Sequence, residues 1–161
     1  MPKGVALRER SWSLPLVSVL KCNVDATFWG SDCLTGRGVV FRDHHGSIVH
    51  MVVLKQFPSE AFVLRAAVLL AKRFLFQRIC FETDSSIVCE AVMGARVCPV
   101  EISSIVFDIQ TALSCFPEAK ISRVSREANS LAHETAKLST PILQEDQILT
   151  RIPKTLLMKA R

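Results

Sequence analysis

Three carboxylates in this chain sit in local settings that could bring them to one place. Asp25 lies in the run LKCNVDATF, Glu60 opens SEAFVLRAAVLLAKRF, and Asp84 closes RICFETDSS. Acids rarely occupy core-facing positions unless they are paired or hold metal. Two strand ends and one helix start can converge, and three converging carboxylates suit divalent-metal chemistry on phosphates. Each acid also has an ordinary reading. Asp25 alone could face solvent from a strand, and Glu60 could be a first-turn acid favoured by the helix dipole, worth ~0.3–1 kcal/mol. Asp84 could cap the helix that follows it. Glu60 stands on an otherwise apolar helical stripe, which favours the site, and Asp84 can serve as cap and ligand together.

The elements that must position these acids follow from periodicity. Leu20, Cys22, Val24, Ala26 and Phe28 alternate with Lys21, Asn23, Asp25 and Thr27, a period of two that predicts a strand. Ser31 to Gly38 carries a turn signature. VVFRD, the turn His44-His45-Gly46 and SIVHMVVLK complete an expected antiparallel meander. Pro58 and Ser59 mark a helix start, with Ser59 as N-cap. Glu60, Leu64, Ala67, Ala71 and Phe74 share one face of that helix, and its other faces are apolar too. It is expected to be buried on more than one side or to offer a surface to a partner.

RICFETD predicts a fourth strand, Ser85 to Met93 a short helix, Glu101 to Phe116 a longer one, AKISRVS a fifth strand and Ala128 to Leu138 a last helix. The order β-β-β-α-β-α-α-β-α makes a mixed sheet, because helical crossovers join parallel neighbours. Residues 1–14 read as a flexible basic lead and 15–139 as the domain. From 140 to 161, Pro141 and Pro153 interrupt the apolar pattern, so a loosely ordered tail is expected.

Composition sets bounds on function. The chain has 161 residues, 49% hydrophobic and 22% charged, which fits one globular domain with a real core. A net charge of +5 weakly favours an anionic partner. Six cysteines form no CxxC pair and no Cys/His cluster, which argues against zinc and for reduced, buried thiols. The basic N-terminus followed by WSLPLVSVL loosely imitates a signal peptide, but the apolar stretch is short, contains Pro15 and runs into Lys21. Arg65 and Lys72 interrupt the best apolar run, so no membrane span is expected. An intracellular protein is expected, in nucleus or cytoplasm and not secreted, as a monomer with its oligomeric state otherwise open.

Five pieces in order resemble the type 1 ribonuclease H fold, in particular its reverse-transcriptase-like, retroelement-derived branch that is abundant in plants. They are LKCNVDAT, TGRGVVFRDHHGSIV, PSEAFVLRAA, FETDSS and SREANSLAHETAKLS, together spanning roughly Trp12 to Leu138. The resemblance implies an α/β fold with a five-stranded mixed sheet in the order 3-2-1-4-5, flanked by helices. It sets Asp25 and Asp84 on adjacent central strands. It further implies four acids that hold two Mg2+ ions and cleave the RNA strand of an RNA–DNA hybrid. Asp25, Glu60 and Asp84 match three of them, and the fourth position, after the alanine of the last motif, is His133.

Magnesium prefers hard oxygen ligands and imidazole suits softer metals, so His133 is a poor fourth ligand for Mg2+ and a better one for Mn2+. In the family that position helps hold the ion that activates water, so the change bears on rate more than on fold. The family's catalytic-loop histidine has no counterpart, because VSREAN leads directly into the last helix.

These residues support a metal-dependent endonuclease acting on RNA–DNA hybrids. The alternatives are a catalytically weak or silent nucleic-acid-binding module, favoured by His133 and the basic balance, and an interaction scaffold, favoured by the apolar first helix. Asn129, one turn before His133, is expected to orient the site or touch nucleic acid. Arg126 and Arg123 are expected to meet phosphates, with Arg37 and Arg42 as further candidates. A lone histidine such as His133 is more often a plain exposed helical residue than a ligand.

Overall fold

The computed structural model describes residues 11–29, 34–54, 59–139, 146–149 and 151–159. Most of the basic lead, the turn positions Ser31 to Cys33, Pro58 and the stretch 140–145 lie outside the described residues. The elements are β1 (Leu20–Trp29), β2 (Leu34–Arg42), β3 (Ile48–Leu54), α1 (Glu60–Arg73), β4 (Arg78–Thr83) and α2 (Ser86–Val92). A 3-10 turn (Val100–Ile102), α3 (Ser103–Leu113), β5 (Glu118–Arg123), α4 (Ser130–Ala136), β6 (Gln147–Ile148) and α5 (Lys154–Lys159) follow.

One mixed sheet runs in the order β5-β4-β1-β2-β3-β6, so the expected 3-2-1-4-5 arrangement is present with a sixth strand added at the β3 edge. β1, β2 and β3 pair antiparallel, and the β1–β4 and β4–β5 pairs are parallel. The β1–β4 register sets Asn23 beside Glu82. Side chains two residues on along each chain, Asp25 and Asp84, therefore point from the same face of the sheet.

Both faces are covered. On one, Cys22, Val24, Val39, Phe41, Ile79 and Phe81 pack against Val63, Leu64, Ala67 and Val68 of α1, with Ile105, Val106 and Ile109 of α3 in the same core. Helix α1 is thus held between sheet and α3. That accounts for its apolar character on several sides without a partner. On the other face, Val40 and Met51 pack against Leu131 of α4 and Leu156 of α5. The polar row of β1 lies beneath α4, so Asn23 and Asp25 are buried where the alternation alone suggested an exposed face.

Several sequence expectations shift. The turn read over Ser31 to Gly38 ends sooner, because β2 begins at Leu34 and both Gly36 and Gly38 lie within the strand. Ser59 is the N-cap residue of α1 by position, but its side chain makes no capping bond and its hydroxyl is buried without a partner. The tail from Thr140 was expected to be loosely ordered, yet β6 pairs with β3 through Val52 and Val53, and Leu156 of α5 is buried. The described cysteines, Cys22, Cys80, Cys89, Cys98 and Cys115, are all free thiols. No described helix is long and apolar enough to cross a membrane.

Candidate metal centre

The three acids arrive from three elements. Asp25 is in the second half of β1, Asp84 follows the last residue of β4, and Glu60 is the first residue of α1. One carboxylate oxygen from each lies within 4.8 Å of the others. They line an open cleft of about 1070 Å³, together with His133, Ser125, Arg123 and Arg126. Asp84 does not cap α2. That role belongs to Ser85, whose hydroxyl accepts from the Val88 amide, so Asp84 is left to face the cleft. Thr83 Oγ1 donates to Glu60 Oε1 at 3.0 Å and accepts from the Ser85 amide at 3.1 Å, tying the start of α1 to the end of β4.

The site's electrostatics are those of crowded anions. Burial, then the neighbouring charges of Asp84 and Asp25, push the Glu60 carboxyl up to about 8. Burial also raises Asp25, opposed by its bond to His133. Such crowding is what a bound cation relieves. A folded-state value above the ordinary 4.5 means that the metal-free protein holds a proton on Glu60 that the unfolded chain releases. That contribution to stability is complete below about 4.5 and is lost as pH rises through about 8. Metal-free protein is therefore expected to melt at progressively lower temperature between these limits, and Glu60→Gln to flatten the slope. Thermal melts at stepped pH with chelator present check this, and an unchanged slope in the variant would sink the assignment.

His133 approaches from α4. Its Nδ1 is 2.7 Å from Asp25 Oδ2 and 3.4 Å from Thr27 Oγ1, with the ring about half exposed at 47%. An ionised carboxylate only accepts, so with Asp25 ionised the proton of this bond belongs to Nδ1. The simple reading of His133 as a plain exposed residue therefore gives way to a direct partner of Asp25. Arg126 sits at the rim, 92% exposed, with Nε 3.8 Å from Asp84 Oδ2.

Two candidates for contact with nucleic acid do not reach solvent. Asn129 is 1% exposed and Arg37 is 2% exposed, so neither side chain is available to a phosphate, and Arg42 is likewise buried. Asn129 and Arg42 instead join a buried polar row with Lys21, Asn23 and Glu82 that sequence reading missed. Its signal was present: polar residues at 21, 23 and 25 alternate along β1, and Asn23 pairs with Glu82 of β4, two residues before Asp84, in a sheet that both faces bury.

The fold is shared with solved ribonucleases H. RNase H1 from the archaeon Halobacterium salinarum superposes with a TM-score of 0.66 at 22% identity, covering 75% of this chain and 99% of the other. The N-terminal RNase H domain of a Mycobacterium tuberculosis protein gives 0.66 at 19% identity, covering 74% and 91%. LC11-RNase H1, in a structure bound to an RNA/DNA hybrid, gives 0.61 at 18% identity, covering 73% and 91%. A search among curated proteins finds no significant match. The family model described as reverse transcriptase-like matches residues 23–139, a span that contains all three acids and His133. The chain belongs to the reverse transcriptase-like family, with the fold of type 1 ribonuclease H.

Proposed function

We propose that the chain hydrolyses the RNA strand of RNA–DNA hybrids with divalent metal, as a site of three acids rather than four. The observation that carries this is the convergence of Asp25, Glu60 and Asp84 within 4.8 Å on the wall of a cleft that also holds Arg123 and Arg126. LC11-RNase H1, which shares the fold, binds such a hybrid, and that supports the substrate class. Carboxylate oxygens on one magnesium ion can be at most ~4.2 Å apart, given metal–oxygen bonds of ~2.1 Å, so these acids are a small side-chain rotation from sharing an ion. The hard oxygen set fits Mg2+ or Mn2+.

When bound, a metal pair supplies activation of water and stabilisation of the leaving oxygen. The residues have separable tasks. Asp25, Glu60 and Asp84 would together hold the metal through their carboxylate oxygens. Arg126 and Arg123 offer exposed cations along the cleft for phosphates, which strengthens binding without reading sequence. His133 holds one oxygen of Asp25 and so restrains its orientation.

That same bond favours a second reading, a hybrid-binding module of low activity, since His133 occupies a lone pair that a second ion would need. Cleavage of a labelled RNA–DNA hybrid with Mg2+ or Mn2+ tests the proposal. The native chain is expected to cleave faster with Mn2+. His133→Asp is expected to raise the Mg2+ rate by about tenfold or more, as a hard ligand replaces an imidazole. Absence of metal-dependent cleavage at high protein concentration sinks the nuclease reading. Salt-sensitive hybrid binding would then leave the module standing.

A further inference from the structure

Asn129 occupies the N-cap position of α4, and Asn is among the residues that best cap helices. Its side chain makes no capping bond to its own helix. Instead Nδ2 donates 2.8 Å to the backbone carbonyl of Val24, the residue immediately before Asp25. Oδ1 accepts from Asn23 Nδ2 at 3.2 Å. His133, one turn along, donates its backbone N–H to the Asn129 carbonyl at 3.1 Å. A single buried amide therefore joins the helix carrying His133 to the strand carrying Asp25.

The amide is itself held in one orientation. Arg42 donates from Nη2 to Asn23 Oδ1 at 2.9 Å, and a guanidinium can only donate. Asn23 must then present Nδ2 to Glu82 Oε2, at 2.8 Å, and to Asn129. Asn129 in turn must present Oδ1 to Asn23 and Nδ2 to the Val24 carbonyl. A donor-only group at one end and an acceptor-only group at the other polarise the whole chain of bonds, leaving one arrangement. The far end is closed: Lys21 Nζ lies 2.8 Å from Glu82 Oε1, and the ring of Trp12 covers Arg42 at 3.5 Å.

We propose that Asn129, oriented through Asn23 by Arg42 and Glu82, is a positioning residue that sets α4 on β1 and so keeps His133 on Asp25. The catalytic consequence rests on the nuclease reading above, whereas the geometric one does not. The metal-free full chain, labelled with 15N, gives the first test through the ring-nitrogen signals of His133 at fixed pH. Asn129→Ala is expected to shift the hydrogen-bonded Nδ1 signal toward those of a solvent-facing histidine. Arg42→Lys, which keeps the charge and loses the reach of the Nη2 donor, is expected to shift it partway. Val106→Ala, in the core on the opposite face, serves as the control for lost stability and is expected to leave it in place.

Affinity for Mn2+ gives the second test, with an expected loss in Asn129→Ala of roughly 10–100-fold, the usual effect of removing a group that orients a metal ligand. If Asn129→Ala and Arg42→Lys lose stability as the control does but keep the His133 signal, the proposal is overturned. A native chain that binds no Mn2+ overturns the nuclease reading instead, and the His133 signal alone then decides the positioning role.

Discussion

Asp25→Asn is expected to remove metal-dependent cleavage, by roughly 10²–10³-fold or more, while making the metal-free protein more stable. The two effects have one cause. Asp25 is buried close to Glu60 and Asp84, and its charge is among those that push Glu60 up to about 8. An asparagine keeps the shape and still accepts from His133 Nδ1, but it removes a negative charge from a desolvated cluster. Relief of about 1 kcal/mol corresponds to a rise of roughly 2–4 °C in melting temperature for a chain of this size. The same missing charge would deprive the proposed metal site of one of its three acids. Calorimetry and the hybrid assay on one preparation test both halves. A variant that loses activity and stability together would show that Asp25 is structural, with no destabilised cluster awaiting a metal.

Much of this arrangement was legible in the sequence because it is written in short periods. The alternation from Leu20 to Phe28 identified β1, and the Glu60 stripe identified α1 together with the residue that heads it. The three acids were legible for the same reason, since each marks the start or end of a regular element. What escaped notice depends on contacts distant in sequence. Asn129 reads locally as a surface or capping residue, and only the arrival of β1 beneath it turns its amide inward. Arg37 and Arg42 read as cations available to phosphate, but α4 and Trp12 sit on the face of the sheet where Arg42 projects. β6 is two residues long and is held by pairing with Val52 and Val53, so no local pattern could reveal it. Gly36 and Gly38 misled most directly, because glycines near Asp32 and Thr35 resemble a turn.

Gly38 belongs in a strand for a reason that only the assembled fold supplies, and Gly38→Ala is expected to cost about 3 kcal/mol, at the upper end for overpacking a core. Its backbone needs no special conformation, as Gly46 and Gly94 are the described glycines with positive φ. The demand is for space. A Cβ at Gly38 would collide with the Ala132 carbonyl oxygen, lie 2.6 Å from the Ala136 amide nitrogen and 2.8 Å from Thr135 Cβ. Two of these three atoms are helix backbone, so no rotamer change relieves the clash and α4 as a whole must lift.

Gly38 pairs directly with Asp25 across β1 and β2, so the helix would be raised at the position beside the site. His133 and Asn129 would move with it, stretching the bonds to Asp25 and Val24. Gly38→Ala is therefore expected to lower the melting temperature by roughly 6–12 °C and to weaken Mn2+ binding in the protein that remains folded. A matched loss of stability in the opposite core, as in Val106→Ala, is expected to spare metal affinity. Should Gly38→Ala melt within a degree of the native chain, α4 is not seated on β2 as closely as the Ala132 and Ala136 contacts require, and the bond from His133 to Asp25 loses its support.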